Sequence, residues 1–299
     1  MTSARTIALI SALLLAAFLW LRPRVGELGF PTIPDVYGRG TVRTPESAGL
    51  PSSSAPEAAR LPAARTEGRP APTGTMSNLD TIETRVFEIV NDERRKQHVA
   101  PLQLEETLRT VARNHSDDML TRGFFDHVNP SGEGPSDRIA RQARRLIGTT
   151  GENIWEFSGS DPAKHPGLAE EIVRDWMNSP GHRENILRSG FTHLGVGVSA
   201  AGAEVRATQN FANIRALLDQ PLPSTVKPGT TVDLSASGTG RSAERFDIWS
   251  TEKGMAVGGP TPISGAKLDA PPGVYVVRFY YARTSGGFAI FAGPRIEVR

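Results

Sequence analysis

The stretch Trp176-Met177-Asn178-Ser179-Pro180-Gly181-His182-Arg183-Glu184-Asn185-Ile186-Leu187 ends one helix, turns sharply and opens another. Ser179 is a good N-cap and Pro180 suits the first helical position; Glu184 and the apolar Ile186 and Leu187 follow at once. His182 then lies in the first turn of the new helix, aimed beyond its N-terminus. The positive end of the helix dipole disfavours imidazolium there, so the ring is neutral and competent as a ligand. A surface histidine in a capped turn is the plainer alternative.

Upstream, Leu168 to Met177 reads as a helix with Ile172 and Trp176 inward, and Thr150-Gly151-Glu152-Asn153-Ile154-Trp155 as a glycine-introduced strand. Before that strand, Pro135 or Ser136 opens a helix over about Asp137 to Arg145, and Phe124-Phe125-Asp126-His127-Val128-Asn129-Pro130 is a loop. A helix from Glu105 to Arg122, ended by Gly123, carries Leu108, Val111, Ala112, His115 and Met119 on one stripe. His115 on that apolar face reads as a core histidine ahead of a ligand. The first helix runs from Ser77 to about Lys96, with Ile82, Val86, Ile89 and Val90 at helical spacing. Downstream, His193 to Val198 alternates, and Val205 to Ile214 pairs behind it across Ala200-Ala201-Gly202. Helices packed over a small, mainly antiparallel sheet are an α+β sandwich.

The remaining segments differ in kind. Arg5 precedes the apolar run Ile7 to Leu21, which Arg22 and Arg24 follow, so residues 1–21 read as a signal peptide or signal-anchor. The run lacks a small-residue cleavage site and carries Trp20 at its end, which favours an uncleaved membrane anchor over a cleaved signal. Either way the rest of the chain is expected outside the cytoplasm. Residues 22–76 hold nine Pro and seven Gly with only Phe30 and Tyr37 as aromatics, a linker that cannot bury enough apolar surface to order itself. Residues 219–299 show short alternating runs, Val232–Leu234, Phe246–Trp249, Val274–Tyr281, Phe288–Phe291 and Ile296–Val298. Gly258-Gly259-Pro260 and similar turn residues separate them. They read as a small all-β, immunoglobulin-like sandwich. Tyr275, Phe279 and Tyr281 fall on one strand face, either as a buried core stripe or as a sugar-stacking platform.

Composition narrows the function. Thirty-four basic residues against 32 acidic ones give a net charge of +2, mixed along the chain, with no basic stripe for nucleic acid. The 299 residues contain no cysteine, which excludes disulfides, thiolate metal sites and a Cys nucleophile.

Four pieces resemble, in order and spacing, the CAP superfamily, the cysteine-rich secretory protein, antigen 5 and pathogenesis-related (SCP-like) group. They are Ala112-Arg113-Asn114-His115-Ser116-Asp117-Asp118-Met119 with Phe125-Asp126-His127; Gly151-Glu152-Asn153-Ile154; Trp176 to Leu187; and Gly195-Val196-Gly197-Val198 with Thr208-Gln209-Asn210-Phe211. The form is similar to the bacterial branch that lacks disulfides. The resemblance implies an α-β-α sandwich over residues 77–218, with a cleft lined by two histidines and two acids that binds a divalent metal such as zinc in several members. Carried over, the cleft histidines and potential metal ligands are His127 and His182, and the first, catalytic acid is Glu152. The second acid's place, three residues after Trp176, holds Ser179; Glu171 and Asp175 stand near it without matching. Asn153, Ser179 and His115 are expected to line the cleft.

Three functional readings follow. The cleft binds an envelope-associated or extracellular lipid, glycan or peptide. Alternatively His127, His182 and Glu152 hold Zn2+ or another divalent cation and activate water for hydrolysis of an extracellular peptide or envelope polymer. Thirdly, the polar cluster only braces the sandwich, with Glu152 and Asn153 bonding across the core. No His-Glu-x-x-His or nucleophile-elbow signature is present.

Overall fold

The structure is a computed structural model that describes residues 76–159 and 165–299. The expected signal segment and all but the last residue of the expected linker lie outside the described residues. Among the described residues no helix is long and apolar enough to cross a membrane.

The elements follow the apolar periodicities. In order they are α1 (Met76–Lys96), β1 (Gln103–Leu104), α2 (Glu106–Arg122), α3 (Pro135–Gln142), β2 (Leu146–Ser158), α4 (Leu168–Asn178), α5 (Pro180–Leu187), β3 (His193–Ala201) and β4 (Glu204–Leu218). Helix α2 stops at Gly123, whose φ of 66° is the left-handed conformation that glycine adopts without strain. Strands β2, β4 and β3 pair antiparallel, and β1 joins β3 in parallel. On one face Leu194, Val196, Val198, Val205, Ala207 and Phe211 pack against α1, α4 and α5 through residues such as Val86, Ile172, Trp176 and Ile186. The opposite face takes α2.

Two glycines set how closely α2 approaches. A Cβ on Gly195 would lie 2.1 Å from the Arg109 backbone nitrogen, and one on Gly197 would lie 2.0 Å from that of Arg113. The alternation read at 193–198 therefore has two purposes. Its valines fill the core and its glycines let a helix backbone rest directly on the strand.

Both edges of this sheet are closed by side chains. The Val198 amide, beyond the reach of short β1, donates to Glu83 Oε1 of α1 at 2.9 Å. At the other edge the Glu152 carbonyl accepts from Asn185 Nδ2 of α5 at 3.2 Å. Buried main-chain groups need such partners, and these contacts seat the helices at fixed places.

Beyond residue 218 come β5 (Thr225–Val226), β6 (Thr230–Thr231), β7 (Ala236–Gly238), β8 (Arg245–Ser250), β9 (Met255–Pro262), β10 (Lys267–Leu268), β11 (Gly273–Ala282) and β12 (Phe288–Val298). The order β12-β11-β8-β9 forms a large antiparallel sheet, which meets β2 at the pair Ala292–Gly148; β6 and β10 make a separate ribbon. Tyr275, Val277, Phe279 and Tyr281 are buried together with Ile147 and Leu218, so the aromatic row is a core stripe. Three details depart from the sequence reading. Residues 232–234 are not a strand, because Asp233 Oδ1 accepts from the Ser235 amide at 2.9 Å and turns the chain. The runs at 288–291 and 296–298 join into one strand, Pro294 falling where the β11–β12 register shifts, between the pairs Arg278–Ala292 and Val276–Arg295. Gly258-Gly259-Pro260 lies within β9, at the sheet edge, where a missing amide donor costs no ladder bond.

Gly197→Ala is expected to lower unfolding stability by about 3 kcal/mol, the upper part of the usual overpacking range, because the obstacle is backbone. Urea unfolding of the full chain measures it; a loss below about 1 kcal/mol would show that α2 can lift away.

Candidate functional site

The site is built around one buried carboxylate. Strand β2 places Glu152 opposite Asn210 of β4, on the face covered by α2, and its side chain is fully buried. The charge is met from several elements at once. His127, in the loop after α2, has Nδ1 2.8 Å from Glu152 Oε1. An ionised carboxylate only accepts, so Nδ1 carries the proton of this bond. Arg138 of α3 donates from Nη2 to Glu152 Oε2 at 2.7 Å, and from Nη1 to the His127 carbonyl at 2.8 Å. With its amide turned to satisfy both of its groups, Asn210 donates to Oε2 at 3.1 Å. His115 Nε2 lies 3.9 Å from Oε1 and bonds the Asp126 carbonyl at 3.1 Å.

Burial by itself would push the Glu152 carboxyl up, but the His127 hydrogen bond and the charge of Arg138 hold it below the usual carboxylate range. Burial lowers His115 to about 4, so the ring is neutral at pH 7. Burial and then the nearby His127 lower His182 as well.

The other expected residues fall beside this cluster. Asn153 points to the opposite sheet face, where Nδ2 donates to the His182 carbonyl at 3.1 Å and to Gln209 Oε1 at 3.1 Å. Asn185 Nδ2 returns a bond to Asn153 Oδ1 at 3.0 Å. These bonds fix the first turn of α5, and thereby His182, against β2. Ser179 occupies the N-cap position with extended backbone, but its side chain makes no capping bond. His182 is half-buried and His127 is 26% exposed on its side chain. The exposed apolar side chains Phe125 and Val128 flank His127.

Arg138 was not among the residues expected from the sequence. The available signal was electrostatic, since an acid on a buried strand requires a cation. Asn210 lay within a matched motif but carried no assigned role.

The donor set does not fit a three-ligand metal centre. Among the described residues no group of three or more His, Asp or Glu side chains is placed to hold an ion. Glu152 is committed to Arg138 and His127, and Ser179 stands where a second acid would be. His127 and His182 offer two imidazoles, and catalytic zinc takes three protein ligands.

The acid side of the stability profile follows from these shifts. Between the folded His115 value of about 4 and the ordinary 6.5, the unfolded chain binds a proton that the folded chain refuses, so stability falls as pH falls across that window. Glu152, held low, adds stability above its ordinary value of 4.5 that is lost on further acidification. His182 and His193 shift in the same direction through burial. Unfolding free energy measured from pH 7 to 4 is expected to drop steeply, and His115→Gln to remove about 1.4 kcal/mol per pH unit of that slope. An unchanged slope would place the proton elsewhere.

The family model for the cysteine-rich secretory protein family, CAP, matches residues 87–211. The chain is 41% identical over 131 residues to the uncharacterized protein YkwD of Bacillus subtilis (strain 168), covering 44% of this chain and 48% of YkwD. It is 34% identical over 131 residues to the uncharacterized membrane protein YlbC of the same organism, covering 44% of this chain and 34% of YlbC. The match thus spans less than half the length of these relatives. Among solved structures, an extracellular protein containing a SCP domain from Bacillus anthracis str. Ames has 28% identity and a TM-score of 0.38, with 48% of this chain and 45% of that one covered. The matched residues contain α2, the Glu152 strand, the Ser179–Pro180 turn and β3 with the start of β4, so residues 87–211 carry a CAP domain, here built without a cysteine.

Proposed function

We propose that the histidine face binds an envelope-associated or extracellular ligand, a lipid, glycan or peptide, without cleaving it. The observation that carries this reading is the state of Glu152. Its side chain is fully buried, and His127 and Arg138 occupy its two oxygens. A general base must reach the proton it removes, and this carboxylate is already engaged on both oxygens. Glu152 therefore acts as a positioning residue that fixes His127 in one tautomer. Phe125, 40% exposed, and Val128, 49% exposed, add apolar surface at the rim, as ligand-binding faces do.

A divalent cation would find two imidazoles here, with Glu152 behind one of them, and would bind weakly. The bracing reading describes Glu152, Asn153 and Asn185, whose bonds run within the protein. It does not extend to His127 and His182, which those bonds hold toward the surface. The apolar run Ile7 to Leu21 supports an extracytoplasmic location with membrane attachment, and YlbC, a relative, carries a membrane protein's name. In this reading residues 77–218 are the binding domain, and 219–299, layered like an immunoglobulin sandwich, hold it in place.

The test uses thermal unfolding of the full chain with three probes: phosphatidylglycerol vesicles, a soluble muropeptide and a chitin tetrasaccharide. One class is expected to raise Tm, with the rise unaffected by EDTA, reduced about tenfold in apparent affinity by His182→Ala, and with the probe recovered intact by mass spectrometry. Probe cleavage that EDTA stops and Glu152→Gln abolishes would overturn the reading in favour of a metal hydrolase.

A further inference from the structure

A second cleft lies between α2, the turn at 129–133 and α3, with a volume of about 320 Å3. That is near the lower limit of small-molecule sites, about 300–1,000 Å3. Its lining is unusual in containing no apolar side chain. Three carboxylates, Asp117, Asp118 and Glu133, are balanced by three guanidiniums, Arg122, Arg138 and Arg141, and hydroxyls and carboxamides make up the rest.

The walls are built before any ligand arrives. Asn129 Oδ1 accepts from the Ser131 and Glu133 amides at 3.0 and 2.9 Å, shaping the turn. Glu133 is clamped by Arg141 through two bonds of 2.9 and 3.1 Å. Arg138 is 3% exposed, and its Nε hydrogen has no partner. Asp117 is exposed, and its carboxylate has no partner among the described residues.

This chemistry selects a ligand class. A lipid chain finds no apolar contact. An anion meets three carboxylates and a cation three guanidiniums. A hydroxyl both donates and accepts, so a molecule bearing several hydroxyls can address the acids and the guanidiniums together. We infer that this cleft is a binding site for an uncharged saccharide, separate from the histidine face. The inference does not rest on the reading of that face, although Arg138 touches both.

The experiment is calorimetric titration of the full chain, kept in a detergent without a sugar headgroup, with a chitin tetrasaccharide and with maltotetraose. A heparin tetrasaccharide and phosphatidylglycerol vesicles are the charged and lipid probes. Saturable binding of at least one neutral tetrasaccharide is expected, weakened about tenfold by Asp117→Ala and by Asn114→Ala, both exposed side chains at the cleft. His182→Ala should bind the same sugar as the native chain does. The inference is overturned if neither neutral sugar binds, if only heparin or vesicles bind, or if His182→Ala abolishes sugar binding while Asp117→Ala leaves it intact. Tm of each variant confirms that it is folded.

Discussion

The Glu152 carboxylate is an anion in the protein interior, and such a charge is tolerated only when it is paired and hydrogen-bonded. Everything nearby answers to that need. Arg138 arrives from α3, His127 from the loop after α2, Asn210 from β4, and His115 from α2 stands 3.9 Å away. Because one charge is shared among elements far apart in sequence, their relative positions are fixed by electrostatics as much as by packing. The arrangement also explains why the acid suits positioning better than proton transfer. Breaking one partner of such a pair costs about 3–5 kcal/mol, so the anion is poorly placed to gain and lose a proton during turnover.

The same use of side chains recurs where a cysteine-free chain needs joints. Arg94, fully buried, has no acid partner among the described residues. Instead it donates to the carbonyls of Ala100 at 2.7 Å, Ile186 at 2.6 Å and Arg188 at 3.0 Å. Those last carbonyls lie at the end of α5, where helix termini leave acceptors unfilled. Arg94 thus ties α1 to the helix that carries His182. Glu83 closes the β3 edge and also pairs with Arg109 at 2.8 Å, joining α1 to α2. Each joint fixes one element against another without a covalent bond.

Much of this was legible in the sequence where a rule is local. The periodicity of 77–96 and 105–122, the glycine stop at 123 and the Ser179–Pro180 turn all depend on a few adjacent residues, and each became the expected element. The pairing of β3 and β4 across Gly202 is equally local. Readings failed where a distant partner decides. Gly258-Gly259-Pro260 reads as a turn and 288–291 and 296–298 read as two runs, because edge and bulge positions exist only once the sheet is assembled. Arg138 went unnoticed because nothing beside it in sequence marks its target, fourteen residues on. The motif residues gave the positions of His127, Glu152 and His182, but not that Glu152 would be sealed off by a guanidinium.

That guanidinium also links the site to the C-terminal sheet. Arg295 of β12 donates to Glu133 Oε1 at 2.9 Å, while the Glu133 carbonyl accepts from Arg138 at 2.8 Å and from the Asn129 amide at 3.0 Å. Arg138 in turn holds the His127 carbonyl. Arg144, just beyond α3, reinforces the join, donating to the Leu222 carbonyl at 2.9 Å. The Arg295–Glu133 pair is partly exposed and contributes about 1 kcal/mol at most. Its importance is positional, since it sets the turn from which His127 is displayed. Ile147, Ala216 and Leu218 complete the same connection by packing in one core with Val277 and Phe279. The residues after 218 are therefore part of what shapes the histidine face, through a shared sheet, a shared core and one acidic turn.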